Sequence, residues 1–292
     1  MMIHHPGITT VPITSVETGD VTVEYDEVAV EEPLEIDLVV PHGAQSLVQS
    51  IAVTMRTPGH DLELAAGFLF TEGIIRDVND IVSIRSPSAN VVHVTLQPSV
   101  LVDAARLDRQ SFVSSSCGVC GKRSIAAVFA IRHHAIHPGF PRISAEIVNS
   151  LPRTQRAAQA TFQRTGGIHA AALFDSAGQL LSIFEDVGRH NALDKLIGWE
   201  LLAGRIPLGD QLVLVSGRAS FELIQKASMA GIPVLAAVGA PSSLAVSLAR
   251  QSAMTLLGFV RDDRFNVYAD AGRLIDVQGG LLSNESHVTA TS

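Results

Sequence analysis

The C-terminal half of the chain alternates short, largely apolar runs with longer stretches whose apolar residues recur at helical spacing. The short runs fall at 212–216, 234–238 and 255–260, and the helical stretches at 219–230 and 242–251. An uninterrupted apolar run of this length reads as a strand buried on both faces. The order strand–helix–strand–helix–strand therefore predicts a parallel α/β layer. Just upstream, 170–174 and 180–184 flank the turn sequence Asp175-Ser176-Ala177-Gly178 and predict a strand pair, with a helix over 191–203 to follow.

The N-terminal part has a different pattern. Apolar and acidic residues alternate over 20–40, with breaks at Pro33 and Pro41-His42-Gly43, which predicts half-buried antiparallel strands. Further strands are expected at 50–56, 81–84 and 91–96, and a short helix at 61–70 after Pro58-Gly59. Helices are also expected at 122–132 and 144–151. The expected organisation is an unordered polar tail over 1–18, a β-rich N-terminal domain over 19–110, an α/β domain over 111–282 that begins with the cysteines, and a second tail over 283–292.

With 47% hydrophobic residues in 292, the chain can bury the cores that two domains need. The net charge of −8 lacks the dense basic footprint that duplex DNA requires, although local arginine clusters remain available for a phosphate or a nucleotide. No nucleic-acid partner is expected. Residues 1–10 show no charged-then-apolar leader, and the most apolar stretch, 232–249, is broken by Gly239, Pro241, Ser242 and Ser243, so no membrane span is expected. The two cysteines lie too close together to staple a fold. The expected location is the cytoplasm, where thiols stay reduced and reactive.

Those cysteines stand in Ser114-Ser115-Ser116-Cys117-Gly118-Val119-Cys120-Gly121-Lys122-Arg123. Small residues let the backbone bend and a partner approach. The expected helix start and the two basic residues favour a thiolate. A thiolate can attack a persulfide donor. Zinc needs more ligands than two cysteines supply, and His133, His134 and His137 lack finger spacing, so no metal is expected. A thioredoxin-type dithiol remains open, although no strand of a compact βαβ unit leads into the motif.

Other stretches carry polar chemistry at strand ends. Thr165-Gly166-Gly167-Ile168-His169 combines a flexible double glycine with a histidine; it fits close approach to a ligand, or a plain β-turn with a satisfied histidine. Glu185-Asp186-Val187-Gly188-Arg189-His190-Asn191 separates an apolar strand from a helix that His190 or Asn191 could cap. The alternative is an Asp–Arg ion pair that pins the loop, with Asp194 and Lys195 on a solvated helix face. Ser216-Gly217-Arg218-Ala219-Ser220 and Gly239-Ala240-Pro241-Ser242-Ser243 open helices and suit phosphate, or are ordinary caps. Neither is a Walker loop or a dinucleotide fingerprint. Arg261 and Arg264 follow the last strand of the layer.

Taken together, the longer motifs resemble the formate dehydrogenase accessory sulfurtransferase family, FdhD. They are Arg56-Thr57-Pro58-Gly59-His60-Asp61, Ser115-Ser116-Cys117-Gly118-Val119-Cys120-Gly121, Thr165-Gly166-Gly167-Ile168-His169-Ala170-Ala171, Glu185 through Lys195, Ser216-Gly217-Arg218-Ala219-Ser220-Phe221-Glu222, Ala230-Gly231-Ile232-Pro233-Val234 and Gly258-Phe259-Val260-Arg261. The resemblance implies a sulfur carrier that takes persulfide sulfur from a cysteine desulfurase. It passes that sulfur to a molybdenum or tungsten cofactor bearing two guanine dinucleotides, for use by formate dehydrogenase. It further implies a cytidine-deaminase-like C-terminal layer, a homodimer, and no permanently bound cofactor. Cys117 matches the persulfide-bearing thiol and Cys120 its companion. Phe259, Val260, Arg261, Asp262, Asp263 and Arg264 match the cofactor-binding stretch, and Arg218, Gly166, Gly167, His169, Arg189 and His190 are expected beside it. Zinc deamination is not expected, because Ala170 and Ala171 follow His169 and Ser116 precedes the first cysteine. A cofactor chaperone without sulfur chemistry, or a dithiol oxidoreductase, are the rival readings.

Overall fold

The computed structural model describes residues 7–42, 45–100, 134–276 and 280–281. The chain opens with a hairpin of β1 (Ile8–Glu17) and β2 (Asp20–Ala29), paired antiparallel along their whole length. Residues 8–17 are thus not the unordered tail that their polarity predicts. Their threonines, valines and isoleucines favour extended backbone, and the partner strand satisfies the polar groups. β2 is also more exposed than its alternation predicts, because its neighbour is β1 and not a larger sheet.

A four-stranded sheet follows. It contains β3 (Glu32–His42), β4 (Gln45–Arg56), β5 (Ile81–Ser88) and β6 (Val91–Leu96), in the order β4-β3-β6-β5. The central pair β3–β6 is parallel and the outer pairs are antiparallel. The helix expected after Pro58-Gly59 is α1 (Asp61–Thr71).

Beyond residue 133, the short β7 (Ile143–Ser144) leads into α2 (Ala145–Ala158), then α3 (Ala160–Thr165). α2 is longer than its expected span and runs through Pro152. The strand pair is β8 (His169–Phe174) and β9 (Leu180–Asp186), followed by α4 (Arg189–Leu202). The alternating segment supplies β10 (Leu212–Val215), α5 (Phe221–Met229), β11 (Val234–Ala237), α6 (Ser243–Gln251) and β12 (Thr255–Gly258). β13 (Asn266–Ala269) and β14 (Leu274–Ile275) close the described chain.

Six of these strands form one mixed sheet in the order β13-β12-β11-β10-β8-β9. Its centre, β10–β11–β12, is parallel, as the alternation predicts, and β8, β9 and β13 run antiparallel to their neighbours. Ser220 and Ser242 cap α5 and α6 through hydroxyls that accept from Leu223 and Ala245 N–H.

The alternating side chains of the sheet feed two cores. Val213, Val215, Leu235 and Leu256 face a large core that also holds α1, α4, α5 and the inner face of the four-stranded sheet. Leu212, Leu214, Val234 and Leu257 face a smaller core closed by Val148 and Leu151 of α2. The sheet is therefore covered on both sides, and the chain is mixed α/β. The join between its N-terminal and C-terminal parts is the crossing of α1 and α4. There Gly67 and Gly198 lie so close that a methyl group at either would collide with backbone of the opposite helix.

Candidate functional site

A parallel layer brings the carboxyl ends of its strands to one edge, and antiparallel neighbours add their opposite ends to it. Here that edge gathers the start of β8 and the loops after β9, β10, β11 and β12. The loops interlock through backbone. Gly239 N–H donates to Gly217 O at 2.9 Å, Phe259 N–H to Gly239 O at 3.1 Å, and Ser242 N–H to Ala219 O at 3.0 Å. A Cβ at Gly239 would stand 3.0 Å from Arg218 Cα and from Gly217 O, a tight approach that favours glycine there. Phe259 sits in the left-handed region at φ 52°, a strained conformation for a bulky residue that this interlock holds in place.

His169 enters this edge over Gly217, where a methyl group would stand 3.3 Å from its ring and 3.7 Å from Arg189 Cδ. Ser216 Oγ accepts from Ala170 N–H at 2.9 Å and lies 3.5 Å from His169 Nδ1. Burial holds His169 below the ordinary histidine value, and the neighbouring Arg189 and His190 add to the effect. The histidine therefore presents a neutral ring. Arg189 Nε is buried and has no hydrogen-bond partner among the described residues.

The polar run from Glu185 has a different internal logic from the one expected. α4 starts at Arg189 with Gly188 as its cap residue, and no side chain caps it. His190 and Asn191 instead reach across to other elements. His190 Nε2 lies 2.8 Å from Glu222 Oε2 and 3.2 Å from Ser220 Oγ, tying α4 to the start of α5. Asn191 Nδ2 donates to Met55 O at 2.7 Å. The partner of Asp186 is Lys195, at 2.7 Å, and not an arginine. Asp186 also accepts from Thr57 N–H and Gly188 N–H, and Lys195 Nζ donates to Thr57 O. Asp194 pairs with Lys226 at 2.8 Å beside Thr71. Asp194 and Lys195 are each only 2% exposed, so neither lies on a solvated face. These buried pairs fasten the site loop to the segment after β4 and to α1.

Between the strand-end loops and α2–α3 lies a cleft of about 1000 Å³. Of the residues singled out in the sequence, Gly166, Gly167, His169, Val260, Arg261 and Asp262 line it. Arg189 and His190 act electrostatically on His169 but are not among the residues that line the cleft. Arg218, Phe259, Asp263 and Arg264 are exposed on the adjoining turns. Arg261 Nη1 donates to Val238 O and Val260 O, and its backbone N–H to Arg264 O, which shapes the turn after β12. Gly166, at φ 63°, ends α3 in the left-handed conformation and turns the chain into β8. Cys117 and Cys120, with the helix expected at 122–132, lie outside the described residues. Among the described residues, no group of three or more His, Cys, Asp or Glu side chains is placed to hold a metal ion.

The opposite wall was not anticipated. It consists of Arg153, Gln155, Arg156 and Gln159 from α2 and its end, with Phe162 and Gln163 from α3. Gln155 is buried and donates to Leu214 O at 2.9 Å, which seats α2 on β10. Glu185 accepts from Thr161 N–H and Phe162 N–H and fixes the start of α3. A signal was present in the sequence: Gln155 and Gln159 continue the stripe of Val148 and Leu151, and polar residues on a buried stripe call for a partner.

The profile of the FdhD/NarQ family matches residues 29–275 of this chain. The chain belongs to the FdhD/NarQ family. Curated relatives support this along nearly their full length. The sulfur carrier protein FdhD of Streptomyces avermitilis is 48% identical over 272 residues, covering 90% of this chain and 94% of its own. The protein of the same name from Mycobacterium tuberculosis is 47% identical over 261 residues, covering 85% and 92%. The one from Sulfurisphaera tokodaii is 42% identical over 253 residues, covering 87% and 93%. A crystal structure of a proposed formate dehydrogenase accessory protein from Desulfotalea psychrophila superposes with a TM-score of 0.71 at 25% identity, covering 92% of this chain and all of that one. Within the FdhD/NarQ chain described here, the motif from Glu185 to Lys195 has two jobs: Asp186, His190, Asn191 and Lys195 fasten elements together, and Val187 lines the cleft. No helix among the described residues is long and apolar enough to cross a membrane.

Proposed function

We propose that this FdhD/NarQ protein is a persulfide sulfurtransferase serving formate dehydrogenase. The Cys117 thiolate attacks the terminal sulfur of a cysteine desulfurase persulfide. A Cys117 persulfide forms, and the desulfurase leaves as a thiolate. Cys120 then attacks the Cys117 sulfur, which closes a disulfide and releases the outer sulfur as hydrosulfide to the metal of a molybdenum or tungsten bis-guanine-dinucleotide substrate. The substrate lies along the cleft, with its phosphates towards arginine side chains and the strand-end loops.

The observation that carries this reading is the cleft itself. It is large, sits at the carboxyl ends of the parallel strands, and among the described residues is lined by Arg153, Arg156 and Arg261 with Asp262 as the one carboxylate. That balance suits a phosphate-bearing ligand, and the name of the relatives, sulfur carrier protein, supports a role in sulfur transfer. The sheet with helices on both faces is consistent with a cytidine-deaminase-like layer. A cytoplasmic homodimer fits the same family reading.

The test is mass spectrometry after incubation with a cysteine desulfurase and cysteine. The wild-type chain is expected to gain sulfur at Cys117, and Cys117→Ala to lose it. No adduct on the wild type, or an equal adduct on the Cys117→Ala/Cys120→Ala double variant, overturns the proposal.

A further inference from the structure

We propose that the β1–β2 ribbon is a docking arm for the protein that receives the cleft's ligand, and that it holds the basic mouth of that protein beside the cleft. The inference rests on the reading of the chain as a carrier that passes on a phosphate-bearing substrate, and on that reading the recipient is cofactor-free formate dehydrogenase.

The ribbon has two unlike faces. Its register sets Val16 opposite Val21, Thr14 opposite Val23 and Pro12 opposite Tyr25. Residues directly opposite in an antiparallel ladder share a face, so these six form one stripe. Within it Val16, Val21, Val23 and Tyr25 are 66–78% exposed. The reverse face sets Glu17 opposite Asp20 and adds Glu24 and Asp26. A hairpin with no third strand is marginal in water, and a contiguous apolar stripe left bare on it marks a contact with another molecule.

Charge selects the occupant. No Lys or Arg precedes Arg56, whereas nine Asp and Glu do. The rest of the chain holds all 21 basic residues against 20 acidic ones, so the net charge of −8 originates in this first segment. Glu17, Asp20, Glu24, Asp26 and Glu27 put much of it on the ribbon. A second copy is a poor occupant, because a two-fold contact sets the same patch against itself and would oppose like charges. A protein that takes up a polyphosphate ligand is the complement. Its mouth is basic to hold the phosphates, and the acidic ribbon attracts and orients that mouth.

Placement gives the ribbon its task. Arg164 of α3 grips Glu27 with both sides of its guanidinium, Nε donating to Oε2 at 2.7 Å and Nη2 to Oε1. Glu27 stands two residues along from Tyr25 and so on the face of the stripe, which therefore runs outwards from α3. The same helix contributes Phe162 and Gln163 to the cleft wall. The ribbon spans about 30 Å, and a partner seated on its stripe is held on the side of the molecule where the cleft opens.

The experiment is binding of the full chain to purified cofactor-free formate dehydrogenase over a range of salt. Sulfur uptake from a cysteine desulfurase, far-UV circular dichroism and sedimentation velocity are measured on the same samples. Val23→Thr/Tyr25→Thr removes apolar surface and keeps residues that favour strands. It is expected to weaken binding to the dehydrogenase by about tenfold or more. Glu17→Gln/Asp20→Asn/Glu24→Gln/Asp26→Asn is expected to slow association by about tenfold at low salt and to flatten its salt dependence. Val82→Thr, an exposed apolar residue on β5, is expected to bind as wild type does. Sulfur uptake, dichroism and sedimentation are expected to keep their wild-type values in all three. If the threonine pair loses its fold, the carboxamide variant decides. A wild-type chain that does not bind the dehydrogenase, or folded ribbon variants that bind it as wild type does, overturn the inference. Loss of sulfur uptake in a folded ribbon variant also overturns it, since the ribbon would then dock the sulfur donor. A shift of that variant to a smaller species overturns it in favour of a second copy. A wild-type chain that takes up no sulfur overturns the sulfurtransferase reading, while binding to the dehydrogenase still decides this inference.

Discussion

At the scale of single residues, the environment of each ionisable group decides its role. His169 is held below its ordinary value of 6.5 by burial and by the nearby Arg189 and His190. Between 6.5 and the lowered value, the unfolded chain binds a proton at this position and the folded chain does not. The contribution of His169 to stability is therefore complete above 6.5 and declines as the pH falls through that window. Proton NMR of the imidazole should show the ring titrating below 6.5, and Arg189→Met should move that titration upward. An unmoved midpoint would refute the electrostatic coupling. Asp186 is a contrasting case. Burial raises its carboxyl while Lys195 opposes the shift, and three N–H groups, of Thr57, Gly188 and Asn191, donate to the carboxylate. Asp186→Ala leaves the Lys195 ammonium buried without its counter-charge and should cost about 3–5 kcal/mol in urea unfolding. A loss under about 1 kcal/mol would mean that the pair is not structural.

At the scale of elements, two contacts position the site. One is the crossing of α1 and α4, where a Cβ on Gly198 would strike the Glu63 carbonyl. Gly198→Ala should therefore destabilise the chain by about 1–3 kcal/mol or more, through forced separation of the helices. Gly209→Ala, where nothing lies within 4 Å of the added methyl, should stay within about 0.5 kcal/mol of wild type. Equal denaturation midpoints for the two variants would contradict the packing. The other contact is the seat of α2 on β10 through Gln155, which holds the arginine wall opposite the strand ends. Pattern reading located the helices and strands themselves well. The Ser220 and Ser242 caps fall within two residues of the expected helix starts, and the parallel layer follows the predicted order. It missed the strand Ile8–Glu17, because a ten-residue polar segment forms a strand only when a partner pairs with it.

For the whole molecule, the large core is continuous from Leu34 and Ile36 in the four-stranded sheet, through α1 and α4, to Leu235 and Leu256 in the six-stranded sheet. Unfolding the N-terminal sheet would expose one face of α4, so heat denaturation is expected as a single cooperative transition with matching calorimetric and van't Hoff enthalpies. Two resolved transitions would show that the parts unfold separately. The sequence by itself determined most of the secondary elements and their order, because hydrophobic period is a local property of the chain. It also marked the polar strand-end loops, because polar residues between apolar runs must lie at the ends of the layer. It could not reveal that Asp194 and Lys195 are interior, since their partners Lys226 and Asp186 reach them only across packed elements. Nor could it reveal that Arg153, Arg156 and Gln159 face His169 and Arg261 across one cleft. Only the tertiary structure decided those points, because burial and opposition depend on which surfaces meet, and residues far apart in sequence settle that when the core closes.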